Sequence, residues 1–123
     1  MIEERDRVAE FFPNGCLRCE YFVLNGLKEG TERHWFEDGK PFVSAEYLDG
    51  RLNGRLLEWN ESGVLVKSAN YREGRLEGKY QSWWDSGILK EDGYFESGIR
   101  RVGYTWYFQD GKVWSVPSTA EQV

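Results

Sequence analysis

Very little in this chain suits it to catalysis or to holding a metal. One histidine, His34, and two cysteines, Cys16 and Cys19, are all that 123 residues contain of these types. A structural zinc takes four ligands, so a single C-x-x-C without a second pair cannot complete a site. Residues three apart on a strand also project to opposite faces. Both cysteines are therefore expected as reduced thiols, and no metal or cofactor is expected. No Ser-His-Asp arrangement follows from the spacing, and the carboxylates are scattered over turns and strand ends, where solvation accounts for them. The sequence predicts no enzyme activity.

Other classes fall with equally simple absences. No apolar run approaches the roughly 18 residues of a membrane helix. The opening MIEERDRVAEFF has neither an apolar segment nor a small-residue cleavage site, so it does not read as a secretory signal, and a cytoplasmic location is expected. The formal net charge is −5, with acids and bases interleaved. A phosphate backbone calls for concentrated Lys and Arg, so nucleic acid is not the expected partner. Aliphatic residues are few, which argues against a thick core.

What the chain does have is rings and glycines: six Trp, seven Tyr, seven Phe and 14 Gly. They recur with a period of 24 residues. One glycine column is Gly15, Gly39, Gly63, Gly87 and Gly111; a second is Gly26, Gly50, Gly74 and Gly98; a third is Gly30, Gly54 and Gly78, interrupted by Val102. Phe11, Trp35, Trp59, Trp83 and Tyr107 form an aromatic column, and Val23, Tyr47, Tyr71 and Phe95 another. A fixed period of this length marks a stacked-repeat architecture in a single domain.

The first two glycine columns alternate at 11 and 13 residues, and each glycine follows Asn, Asp or Ser except after Glu73. These dipeptides suit primed hairpin turns, which require positive φ. The third column falls mid-strand, away from any loop-to-helix context for phosphate, and reads as a bulge or a close backbone approach. An all-β antiparallel meander of about ten strands follows, built from 24-residue β-hairpin repeats as a single-layer twisted sheet. It is expected over residues 1–117, with a flexible tail at 118–123. Period-2 alternation places Trp35, Trp59, Trp83 and Tyr107 on the core face, together with Leu65, Leu89, Tyr47, Tyr71, Phe95 and the small residues Ala45, Ala69 and Gly93.

The pattern Y-x-x-G-x-x-x-G-x-x-x-x-W-x-x-x-G, carried by Tyr47, Gly50, Gly54, Trp59 and Gly63 and again by Tyr71, Gly74, Gly78, Trp83 and Gly87, resembles the MORN-repeat family. The nearest likeness is to bacterial MORN-repeat-variant proteins of antitoxin-like type. The resemblance spans Phe11 to Val116 and departs at the ends, where Val102, Ile2 and Asp6 stand in glycine columns. Terminal copies that cap a stack are commonly atypical. The resemblance implies a binding scaffold: an immunity or antitoxin-type protein whose partner is a toxin or secreted effector. From its eukaryotic members it also implies a module for acidic lipid surfaces. The interleaved Glu58, Glu73 and Glu77 among Arg51, Arg55, Arg72, Arg75 and Lys79 weigh against the lipid reading.

The face opposite the Trp column changes along the chain. Its successive positions read Glu32, Leu56, Tyr80, Tyr104; then His34, Glu58, Ser82, Trp106; then Phe36, Asn60, Trp84, Phe108. Early copies are mostly polar and late ones are rich in rings. Exposed ring clusters rimmed by charge mark interaction sites, so Tyr80, Trp84, Tyr94, Tyr104, Trp106 and Phe108 form the candidate partner-binding set. Two other readings of this patch stand beside that one: a second small core, closed by sheet twist or the C-terminal tail, and the contact of a face-to-face homodimer. Edge pairing into fibres is disfavoured by Glu3, Glu4, Arg5, Asp6 and Arg7 at one edge and Pro117 at the other.

Overall fold

The computed structural model describes residues 4–115; the tail at 118–123 and Pro117 lie outside them, as do Ile2 and Glu3. The described residues form thirteen strands: β1 (Asp6–Phe11), β2 (Leu17–Leu24), β3 (Leu27–Lys28), β4 (Gly30–Trp35), β5 (Pro41–Leu48), β6 (Arg51–Trp59), β7 (Leu65–Arg72), β8 (Arg75–Leu76), β9 (Gly78–Trp83), β10 (Leu89–Glu96), β11 (Ile99–Arg100), β12 (Thr105–Tyr107) and β13 (Val113–Ser115). Ten of them run as a meander in one antiparallel sheet, β1-β2-β4-β5-β6-β7-β9-β10-β12-β13. The two-residue strands β3, β8 and β11 extend the hairpins against β2, β7 and β10. The expected all-β repeat meander is the fold.

Two kinds of turn alternate along the sheet. At Asn25-Gly26, Asp49-Gly50, Glu73-Gly74 and Ser97-Gly98 both residues have positive φ, from 50° to 84°. These are the primed two-residue turns, whose twist matches that of the strands. The other glycine column closes differently. Gly63 N donates to the Asn60 carbonyl (3.0 Å) and Asn60 N to the Val64 carbonyl (2.9 Å), with equivalent pairs at Phe36, Trp84 and Phe108. Here only the glycine is left-handed, as in the longer hairpin loop that ends a type I turn with glycine. Primed turns were expected at both columns; they occur at one.

A bulge follows each of these wider turns and overturns the expected face assignment. Trp59 lies opposite Leu65, yet its neighbour Glu58 lies opposite Lys67, so Val66 is an extra residue. The same offset inserts Arg18, Phe42, Lys90 and Trp114 in the other copies. The Trp column and the Leu65-type residues meet at the turn. Past the bulge, however, the short strands present Ala45 opposite Leu56 and Glu32, Ala69 opposite Leu56, and Gly93 opposite Tyr80. Paired residues share a face in an antiparallel ladder. The small residues and Tyr47, Tyr71 and Phe95 therefore share the face of Leu56, Tyr80 and Tyr104, not that of the Trp column.

Packing on that face alternates large and small. Ala69 is wholly covered, Ala45 is 4% exposed and Tyr104 is 2% exposed. Leu56 sits between the two alanines, and the Tyr104 ring lies on Gly93, leaving no room there for a side chain. Larger side chains all keep some exposure, and among the described residues none but these, Gly93, Cys19 and Ser82 is buried. The opposite face is predominantly polar: Arg7 pairs with Glu20 at 2.8 Å, Lys79 with Asp92 at 2.9 Å, and Asn70 Nδ2 donates to the Lys79 carbonyl at 2.9 Å.

Candidate interaction surface

The densest ring cluster lies at the C-terminal end of the alternating face. Tyr104 is at its centre, with ring centroids 5.6 Å from Phe95, 6.3 Å from Tyr80 and 4.7 Å from Trp106. Tyr80 and Phe95 meet edge to face at 5.5 Å. These are separations at which aromatic pairs attract beyond simple burial. The sheet brings them together because β9, β10 and β12 are neighbours and because Gly93 lets the Tyr104 ring lie across β10.

One carboxylate organises the polar side of the cluster. Ser82 Oγ donates to Glu91 Oε2 at 2.6 Å, and Tyr104 Oη donates to Glu91 Oε1 at 3.0 Å. Burial, then the nearby Glu91 charge, pushes the Tyr104 hydroxyl far above the ordinary phenol range; the same causes raise Tyr80 to about 12. Both phenols stay protonated at neutral pH, and that of Tyr104 serves as a donor. Arg100 covers the rings from the solvent side, its guanidinium carbon 5.6 Å from the Tyr104 centroid and 5.2 Å from that of Trp106. Cations stacked on ring faces in this way add attraction without closing the surface.

The six ring residues anticipated as a partner site do not form one patch. Tyr80 and Trp106 lie together on the alternating face and are partly exposed. Tyr104 is with them but hidden, so it supports the patch from beneath and presents nothing itself. Tyr94 is paired with Lys79 on the opposite, polar face and is 55% exposed there, its ring under the Lys79 ammonium at 4.8 Å. Its place follows from alternation: it neighbours Gly93 and Phe95, which point the other way.

Trp84 and Phe108 belong to the wide-turn end, each against its own bulge residue. Lys90 lies 4.6 Å over the Trp84 ring, and Trp114 stacks on Phe108 at 5.8 Å. Phe42 on Phe36 at 4.6 Å is the same pairing two copies before Trp84. Sequence reading passed over Phe42, Lys90 and Trp114, although a constant six-residue offset from Phe36, Trp84 and Phe108 marks them. It also passed over Phe95, Arg100 and Glu91 as members of the cluster. Strict alternation places Phe95 on the other face, and the Arg100 and Glu91 roles depend on the register past the bulge.

At the opposite end the alternating face is polar. Lys28 Nζ lies 2.5 Å from Glu32 Oε1 and over the rings of Tyr21 and Tyr47, at 4.7 and 5.0 Å. Burial is the largest influence on Glu32 and raises its pKa, but His34, with Nε2 at 2.6 Å, and Lys28 together hold it below the usual carboxylate value. Cys19 is buried and donates to Glu10 Oε2 at 3.1 Å; burial first, then that acceptor, raises its pKa. A thiol so held is a poor nucleophile. Cys16 and Cys19 are free, and no group of three His, Cys, Asp or Glu able to hold a metal occurs among the described residues.

No curated protein matches the chain. Two segments, residues 28–49 and 76–97, match the family model described as MORN repeat variant. Each runs from one primed-turn hairpin to the next, and they start two 24-residue periods apart, in phase with the glycine and ring columns. The two matches fall on an antiparallel sheet that repeats in the same register, and they support a likeness to MORN repeats, which generally serve as binding modules.

Proposed function

We propose that this protein is a non-catalytic protein-binding repeat module, and that the C-terminal part of the alternating face holds the partner. One observation carries the reading. A contiguous group of partly exposed side chains, Tyr80, Phe95, Arg100 and Trp106, sits on a hidden, hydrogen-bonded Tyr104, and no second layer covers it among the described residues. Rigid rings with an arginine at their rim are the usual anchors of protein interfaces. The partner in this proposal is a toxin or secreted effector that the chain neutralises. Resemblance to antitoxin-like repeat variants supports that identity, and the net charge of −5 favours association with a basic protein.

Affinity capture from the native host tests this. A stoichiometric protein partner is expected, and Trp106→Ala should weaken it by roughly 30-fold, typical of a central ring anchor. Glu58→Ala, the same backbone position two copies earlier, should change it by less than about threefold, as expected for a site away from the anchor. Retention on anionic vesicles with no captured protein would replace this reading by a membrane-surface one.

A further inference from the structure

A second concavity lies at the wide-turn end of the first three hairpins, well away in sequence from the C-terminal ring cluster. It is an open cleft of about 780 Å³. One wall is the stacked pair Phe36 and Phe42, tilted 34° to one another, with Trp35 beside them. Phe42 is 38% exposed, so its ring surface is within reach of solvent.

Acids outnumber bases around this wall, and the bases are already engaged. Arg18 holds Glu10 at 2.9 Å, Lys40 lies 3.8 Å from Asp38, and His34 faces Glu32. Glu37 and Glu61 line the cleft, are exposed, and have no ion pair among the described residues. Exposed carboxylates alone would be an ordinary solvated surface, and rings alone an apolar one. Together in one concavity they match a cation with a flat or methylene-bearing body, which the rings attract from its face and the carboxylates from its edge.

The chain supplies its own demonstration. In the copy two repeats on, the position of Phe36 is Trp84, that of Phe42 is Lys90, and that of Glu37 is Asp85. There the bulge lysine lies over the ring at 4.6 Å. In the second hairpin the bulge residue is a second ring, so this wall lacks the lysine that covers the ring in the later copy. A metal ion is the wrong cation, because no metal-competent group of ligands exists at the site.

We infer that this cleft binds an arginine or lysine side chain presented by a protein partner. The inference rests on the protein-binding reading but uses a separate surface, and its test needs no native partner. The capped tripeptide Ac-Gly-Arg-Gly-NH2 is titrated in low salt against the full chain, followed by amide chemical shifts, with its citrulline isostere as the neutral control. Saturable shifts at Phe36, Glu37, Phe42 and Glu61 are expected, in the millimolar range. The citrulline peptide should bind about two- to fivefold more weakly, since a single exposed cation contact is of that order. Glu37→Gln with Glu61→Gln should reduce affinity similarly, and Phe42→Lys, copying Lys90, should abolish binding in a folded chain. Equal binding of the two peptides, undiminished binding to Phe42→Lys, or shifts confined to other residues would overturn the proposal; so would no saturable response. Each of these outcomes leaves the Trp106 surface untouched.

Discussion

At the scale of single residues, this fold depends on where it omits side chains. Ala45, Ala69 and Gly93 occupy one column, yet only the last is glycine, and there the Tyr104 ring lies against the backbone. A Cβ on Gly93 would sit 2.8 Å from Tyr104 Cγ and 3.0 Å from Tyr104 Cα. The second contact is with backbone and cannot be relieved by a rotamer change. Gly93→Ala should therefore destabilise the domain by about 1–3 kcal/mol, as overpacking does, although Gly to Ala in a strand is ordinarily favourable. Urea denaturation reads this directly. The matching change Ala69→Gly should cost about 0.5–1 kcal/mol from backbone entropy alone. If Gly93→Ala is as stable as the parent, Tyr104 is not seated where the structure places it.

At the scale of elements, turns and strands were legible and the faces were not. The dipeptides Asn25-Gly26, Asp49-Gly50 and Ser97-Gly98 announce primed turns through their chemistry, and the 24-residue period sets every strand. Nothing in the letters Arg18, Phe42, Val66, Lys90 and Trp114 says that each is the extra residue of a bulge. These five share no property, because a bulge constrains the backbone more than the side chain. Strict alternation read through them put Phe95 and Gly93 on the wrong side of Tyr80, and scattered a site that the register assembles from Tyr80, Phe95, Arg100 and Trp106. Tyr94 was misplaced by the same step. Turn chemistry yields its own prediction. Glu73 takes a left-handed φ of 50° that asparagine adopts more readily, and Asn25 is the same position in another copy. Glu73→Asn should raise stability by about 0.5–1 kcal/mol. Gly74→Val, forcing a β-branched residue to a φ of 84°, should lower it by more than about 1 kcal/mol. Thermal melts of the pair should move in opposite directions.

At the scale of the whole molecule, a one-layer sheet of repeats has contacts almost entirely between sequential neighbours. Each inner strand on the main path touches the two beside it, and no second layer joins distant repeats among the described residues. Such a stack behaves as a chain of coupled units, in which damage spreads by one neighbour at a time. Tyr104 is the sharpest probe of that coupling, since it is the most buried large side chain and sits one strand from the end of the sheet. Tyr104→Ala removes ring contacts to Tyr80, Phe95 and Trp106 and leaves Glu91 with Ser82 as its remaining donor. Amide hydrogen exchange in this variant should accelerate most in β10, β12 and β13, less in β9, and hardly at all in β4 to β6. In the parent, exchange should be slowest in β5 to β7, which lie in the middle of the sheet with partners on both sides. Uniform acceleration across all strands would mean a single cooperative unit. The C-terminal ring cluster would then be a keystone of the entire sheet, and any loss of partner binding in its variants would have to be separated from unfolding.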